Sequence, residues 1–180
     1  MLQEKLLLWK LRRGDAEAVR QVYDRHKHDM LGLAVALSGD RATGEDVVHD
    51  VFVSFVRVCH RLRLRTSLRS YLLSSVANRV RNLSRAKAAR AVPVEAVADA
   101  PSDLHRPDRI AVQVEQATLI EQALRELPYE QHEAVILHLQ GTLTFKEIAV
   151  SQNVSINTVQ SRYRYGLQKL RSLLDGKVTP

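Results

Sequence analysis

With a single cysteine, Cys59, in 180 residues, the chain has no internal disulfide to staple its fold and no cysteine-based zinc site of the usual kind. Cys59 reads as a small apolar side chain on a helix, and a reduced cytoplasm suits it. Aromatic residues make up 5% and glycines number seven, few for a protein of packed strands and tight turns. No segment alternates apolar and polar residues with a convincing period of two. The apolar start "MLQEKLLLWKL" carries Glu4, Lys5 and Lys10, so it is too brief for a membrane span and wrong for a secretory leader. There is no glycine-rich phosphate loop, nucleophile elbow or Ser/His/Asp set, so no enzymatic activity of its own is expected. His26 and His28 stand two apart and face different sides of a helix, which sets a metal site aside. No metal or cofactor is expected.

What the chain does have is Leu, Val, Ala, Arg and Glu, 45% hydrophobic and 26% charged, enough for one modest core or two small ones. Apolar residues recur at helical spacing almost throughout, which makes the fold all-α. Asp15 can cap a helix running to about Leu37, with Gly39 as its stop. Thr43 with Asp46 three residues on resembles a capping box for a second helix, which carries "GEDVVHDVFVSFVRV". After the basic loop "HRLRLRT", Ser67 can cap a third long helix to about Ala89. Trp9, among Leu6, Leu7, Leu8 and Leu11, is expected to anchor the first core, the alternative being an exposed face there that serves an inhibitor. The stretch "AVPVEAVADAPSDLHRPD" holds Pro93, Pro101 and Pro107 and reads as a flexible linker; its eighteen residues span up to roughly 60 Å at about 3.4 Å each. Four further helical segments follow, over 110–126, 130–139, 144–150 and 155–174.

The last two of these form a pair. Thr144 and Glu147 make a T-x-x-E capping box that turns Ile148 and Ala149 inward, and Asn153 suits a left-handed turn. Ser155 can cap the next helix, on which Val159, Tyr163, Leu167, Leu170 and Leu174 form one apolar stripe. Turned away from it are Asn157, Thr158, Gln160, Ser161, Arg162 and Arg164. A helix in a major groove needs such groups, because Arg bonds guanine in bidentate fashion and Asn or Gln bonds adenine.

The formal net charge of +7 favours an anionic partner, with nucleic acid ahead of an acidic protein or a membrane face. From Val51 to Val94 there is no Asp or Glu, while Arg57, Arg61, Arg63, Arg65, Arg69, Arg79, Arg81, Arg85, Lys87 and Arg90 are all present. Phosphates are the natural counter-charge for such a run. Just before it, Glu45, Asp46 and Asp50 put acid on the second helix. One acidic head leading into a basic helix suggests two partners.

The segments "GDAEAVRQVY", "GEDVVHDVF" and "LRSYLLSSVANRVRNLSR", followed after the linker by "ALRELPYEQHEAVILHLQGTLTFKEIAVSQNVSINTVQSRYRYGLQKLR", resemble the extracytoplasmic-function (ECF) type of bacterial RNA polymerase sigma factor. The resemblance implies two small helical domains joined by the linker. Residues 1–90 would be the region 2 bundle, 91–109 the linker, and 110–180 the region 4 helix-turn-helix. It further implies a cytoplasmic factor that binds core RNA polymerase through the β′ clamp and β flap, directs promoter-specific initiation, and has an anti-sigma partner. The implied polymerase contacts are Asp46, Val47, His49, Asp50 and Phe52. Strand opening at the −10 element falls to the loop Arg61, Arg63, Arg65 and Thr66, with Arg69, Tyr71, Asn78, Arg79, Asn82 and Arg85 beside it. The −35 element falls to Ser155, Asn157, Thr158, Gln160, Ser161, Arg162 and Arg164.

Five positions depart from the family's usual residues: His49 stands for Gln, Tyr71 for Trp, Ser75 for Ile, Asn82 for Asp and His132 for Arg. Tyr71 can still stack on a base, while Ser74 and Ser75 soften a helix face expected to be apolar. A free-standing helix-turn-helix regulator and an adaptor with protein contacts only are the competing readings; the acid on the second helix favours the polymerase subunit.

Overall fold

The computed structural model describes residues 2–62, 64, 66–90 and 108–175, and the side chains of 6–62, 64, 66–89 and 117–175. Among these residues the fold is all-α. Helices α1 (Leu2–Arg12), α2 (Ala16–Ser38), α3 (Arg41–Val58) and α4 (Leu68–Arg90) make the first half, with a single 3₁₀ turn at Cys59–Arg61. Helices α5 (Asp108–Arg125), α6 (Tyr129–Leu139), α7 (Phe145–Gln152) and α8 (Ile156–Asp175) make the second. The linker expected at 91–109 falls outside the described residues up to 107, and its last two residues already belong to α5.

Local chemistry sets the helix ends. The Asp15 carboxylate accepts from the N–H groups of Glu17 and Ala18 at 2.9 and 3.3 Å, two donors the first turn leaves without an intrahelical partner. Gly39 ends α2 at φ 72°, where a side chain would be strained, and its N–H returns to the Val35 carbonyl. Ser67 Oγ accepts from Ser70 N–H at 3.1 Å to start α4. The expected capping box at Thr43 is not what starts α3. Asp40 does so three residues earlier, its carboxylate taking the Thr43 N–H at 2.7 Å, because an aspartate one turn upstream reaches that donor first.

The first core gathers Val22, Met30, Leu33 and Leu37 of α2, Val47, Val51 and Phe55 of α3, and Leu68, Leu72, Val76 and Val80 of α4. Cys59 is buried in it. On α1 the inward residues are Leu7 and Leu11, spaced i, i+4; Trp9, expected as the anchor, falls between them on the outer side and is 53% exposed. The Arg13 guanidinium lies 4.7 Å from its ring centre.

Helix α6 is buried on two sides, from Glu133 through Leu137. One side meets Ala123, Leu127 and Leu170 in a small cluster of the second half. The other, with Ala134, Ile136 and Leu137, joins Leu143, Ile148 and Val159 to the core of the first half. One apolar cluster therefore runs through both halves, with α4 against α7 and α2 against α6. A cleft of about 980 Å³ remains between α2 and the α5–α6 pair. No helix among the described residues is long and apolar enough to cross a membrane.

Candidate nucleic-acid interface

Helices α3 and α4 run side by side and leave a groove of about 530 Å³, walled by Asp50, Ser54 and Arg57 on one side and Tyr71, Ser75, Asn78, Arg79 and Asn82 on the other. The face forms because Leu72, Val76 and Val80 are drawn into the core, so that the residues beside them on α4 point into this channel. Tyr71 is half-buried, its ring 6.3 Å from that of Phe55. The Ser75 hydroxyl donates to the Tyr71 carbonyl at 2.9 Å, which explains how a serine fits a face expected to be apolar. Arg79 donates to Asp50 Oδ2 from Nη2 at 2.6 Å and from Nε at 3.1 Å. Asn82 and Arg85 are exposed at the far end.

Other members of the expected set lie elsewhere. Arg61 is exposed and donates from Nε to the His60 ring at 2.9 Å, and Thr66 is exposed. Arg63 and Arg65 lie outside the described residues. Arg69 turns away from the groove: its guanidinium donates to Asp29 at 2.8 Å, to the Gly141 carbonyl at 2.7 Å and to Thr142 Oγ1 at 2.8 Å.

On the outer side of α3, Asp46, His49 and Asp50 are exposed. Phe52 is partly covered, edge-on to Tyr23 with ring centres 4.8 Å apart. Val47 is fully buried, so its expected partner contact is corrected to a core role.

The α7–α8 pair has the expected helix-turn-helix geometry. Glu147 N–H donates to Thr144 Oγ1, and Thr144 N–H donates to Glu147 Oε2 at 2.9 Å, closing the capping box. Asn153 takes the left-handed turn at φ 54°. Ser155 Oγ accepts from Thr158 N–H at 3.0 Å and is paired with Thr158 Oγ1, so both hydroxyls serve the cap. Asn157, Gln160 and Arg164 are exposed along the start of α8, the Arg164 guanidinium 5.1 Å from the centre of the Tyr165 ring. Ser161 is half-buried.

Two expectations about α8 are corrected. Leu167 is 38% exposed, and Gly166 takes its inward place: a Cβ there would lie 2.9 Å from Val135 Cγ2, so the helix leans on α6 at its one residue without a side chain. Arg162 does not point outward. It folds back, half-buried, to donate from Nη1 to Gln152 Oε1 at 2.7 Å, because that amide is fixed in place by Glu133.

Glu133 itself escaped the reading of the sequence, as did Gln152, while Arg81 entered it only as one cation of the basic run. Glu133 is 1% exposed and accepts from Arg81 and from Gln152 Nε2. Burial pushes its carboxyl above the usual range, and the Arg81 guanidinium holds that rise back. The signal was present in "HEAVILHL", where one acid stands within a run of aliphatic residues and so requires a buried partner from elsewhere. Next to it, burial holds the His132 imidazole below its ordinary value. Glu147 is also pushed up by burial, but the hydrogen bonds from Ser70 and Thr144 outweigh this and leave its carboxyl below the usual range.

The α7–α8 helix-turn-helix places the chain among DNA-binding proteins, and comparison with known proteins gives the family. Residues 22–90 match the model for Sigma-70 region 2, and residues 117–170 that for Sigma-70, region 4. The ECF RNA polymerase sigma factor SigM of Mycobacterium tuberculosis is 32% identical over 163 residues, 89% of this chain and 79% of that one. The chain belongs to the ECF RNA polymerase sigma factors, a family of transcription initiation factors. Among solved structures, that of CnrH in complex with the cytosolic domain of CnrY is similar in fold, with TM-score 0.71, 22% identity, and 96% and 97% of the two chains covered. The sigma factor RpoE in complex with the anti-sigma factor NepR from Bartonella quintana gives TM-score 0.63 at 21% identity, covering 99% and 97%.

Proposed function

We propose that this chain binds core RNA polymerase in the cytoplasm and directs initiation at promoters, with residues 1–90 reading and opening the −10 element and residues 110–180 reading the −35 element. The observation that carries the reading is the α3–α4 groove. It brings Tyr71, Asn78, Arg79 and Asn82, far apart on an extended chain, to line one channel of about 530 Å³, where an unstacked base would be held. An aromatic ring, amides and a guanidinium are what hold a flipped base and its phosphate, with each stacked base contributing about 1 to 3 kcal/mol. The acidic face of α3, Asp46 and Asp50 with His49 between them, is the docking surface for the polymerase. Asn157, Gln160 and Arg164 at the start of α8 are the groove-reading set, with Ser155 and Thr158 shaping the turn and Arg162 joining once released from Gln152. The anti-sigma factor bound by the RpoE neighbour supports an anti-sigma partner for this chain as well.

Pull-down with core polymerase, followed by transcription from a promoter library, tests the reading. Core-dependent transcription from a common pair of elements is expected, and Asp46→Arg should reduce core capture at least tenfold. A chain that binds duplex DNA as a dimer and ignores core would establish the free-standing regulator instead.

A further inference from the structure

Helix α1 packs on α2 and on the 3₁₀ turn at Cys59–Arg61, so its C-terminal end stands beside the loop assigned to strand opening. Two contacts join them. Arg12 donates from Nη2 to the Leu62 carbonyl at 3.3 Å, and the Cys59 thiol is aimed at the Leu11 carbonyl with Sγ 3.9 Å away. Leu7 and Leu11 fill the inner side of α1, and helical spacing sets Trp9 on the opposite side, between Arg12 and Arg13 and one turn from Leu6. That side is open. Leu6 is 54% exposed and Trp9 53%, and both arginines are exposed.

The Arg13 guanidinium lies 4.7 Å from the centre of the indole, within the range of a cation–π contact, which holds the cation at the ring. Past Arg12, the 3₁₀ turn adds His60 and Arg61, both exposed. Among the described residues no carboxylate pairs with Arg12, Arg13 or Arg61. Asp15, the nearest acid in sequence to Arg13, has its carboxylate engaged by the first turn of α2.

An open indole among unpaired guanidiniums takes unstacked bases and their phosphates, because the ring stacks on any base while the cations meet the backbone. A duplex offers the phosphates but no base face. A protein partner fits less well: it would have to bring acids to three arginines while covering only Leu6 and Trp9 as large apolar side chains. We propose that Trp9, with Arg12 and Arg13, is a stacking platform for single-stranded DNA that carries the unpaired strand next to the strand-opening loop. The ligand class rests on this surface alone; its identity as the strand opened at the −10 element rests on the function proposed above.

Trp9 is the chain's one tryptophan, so its fluorescence reports on this surface directly. Titrating the free full-length chain with a single strand of about twelve nucleotides should quench it, and the same length of duplex should leave it nearly unchanged. With a dye-labelled strand read by anisotropy, Trp9→Ala should weaken binding at least about fivefold, as loss of one stacked base requires, and Trp9→Phe should restore most of it. Arg13→Ala should make the slope of log K against log salt shallower by about 0.7, the share of one phosphate. With core polymerase on a promoter, a photo-crosslinking residue placed at position 9 should join to the unpaired strand beside the −10 element. No quenching by the single strand, equal quenching by duplex, or unchanged binding in Trp9→Ala overturns the platform. Crosslinking to a polymerase subunit or another protein in place of DNA assigns the face to a protein partner and also overturns it. Single-strand binding that depends on Trp9, in a chain that supports no core-dependent transcription in any form, would uphold the platform and overturn the promoter role.

Discussion

Val35 of α2 closes directly onto Gly44 of α3: a Cβ at position 44 would lie 2.8 Å from Val35 Cγ2 and 3.2 Å from the Val35 backbone nitrogen. The close approach sets the angle at which α3 leaves α2 and hence which way Asp46 and His49 face. Gly44→Ala should destabilise the chain by about 1 to 3 kcal/mol through overpacking, although alanine is the better helix former by up to about 1 kcal/mol. Denaturant melts give the sign; a stabilised variant would mean that the two helices separate without penalty.

Tyr71 combines a core contact with a place in the α3–α4 groove, so two substitutions separate its roles. Tyr71→Phe keeps the ring beside Phe55 and should leave promoter opening within a few-fold of wild type. Tyr71→Ala should spare duplex binding yet slow opening of the −10 region at least tenfold, followed with a fluorescent base analogue and core polymerase. An unchanged opening rate in Tyr71→Ala would confine the residue to packing.

Arg164 is exposed and held away from the core by stacking on Tyr165, so it is ready to meet a base edge without rearrangement. Arg164→Ala should weaken −35 binding by about 1 to 3 kcal/mol and relax the choice of one base pair. Equal weakening on every sequence, with a shallower salt dependence, would assign it to a phosphate.

His132 gives a pH dependence. Burial lowers its native pKa below the ordinary 6.5, so on acidification the unfolded chain takes up this proton before the folded one. Its contribution to stability is complete above about pH 6.5 and is lost as pH falls from there through the native value. Denaturant midpoints compared between about pH 7.5 and 5.5 should fall less steeply for His132→Gln than for wild type. Parallel slopes would locate the acid sensitivity elsewhere.

Helix ends were the most legible feature, because one or two residues decide each. Asp15, Gly39, Ser67, the Thr144–Glu147 box, Asn153 and Ser155 all act on backbone groups within four residues of themselves. Asp40 was overlooked because Thr43 offered a second plausible cap one turn later. Residues whose placement depends on another helix were harder. Counting from Val159 and Tyr163, helical spacing brings both Gly166 and Leu167 to the flanks of the same stripe of α8, about 100° apart, and only the nearness of Val135 selects the glycine. Trp9 read as core by size, whereas the inner side of α1 was already filled by Leu7 and Leu11. The groove set Tyr71, Asn78, Arg79 and Asn82 came from family resemblance, and its convergence with Asp50 from across the channel could not be read from spacing. Arg81 stood among ten uncompensated cations, and nothing local marked it as the one with a buried acid waiting 52 residues away.

The bond from Arg79 to Asp50 joins the outer, acidic side of α3 to the channel behind it. An outside cation that claims Asp50 sets the guanidinium free, and a phosphate that claims Arg79 uncovers the carboxylate. Each visitor therefore eases the other's arrival by an equal amount, as thermodynamic reciprocity demands. Both members are more than two-fifths exposed, so the pair contributes at most about 1 kcal/mol, and the mutual assistance is limited to roughly fivefold. Enzyme and nucleic acid would then cooperate through this pair weakly enough that either can still depart alone.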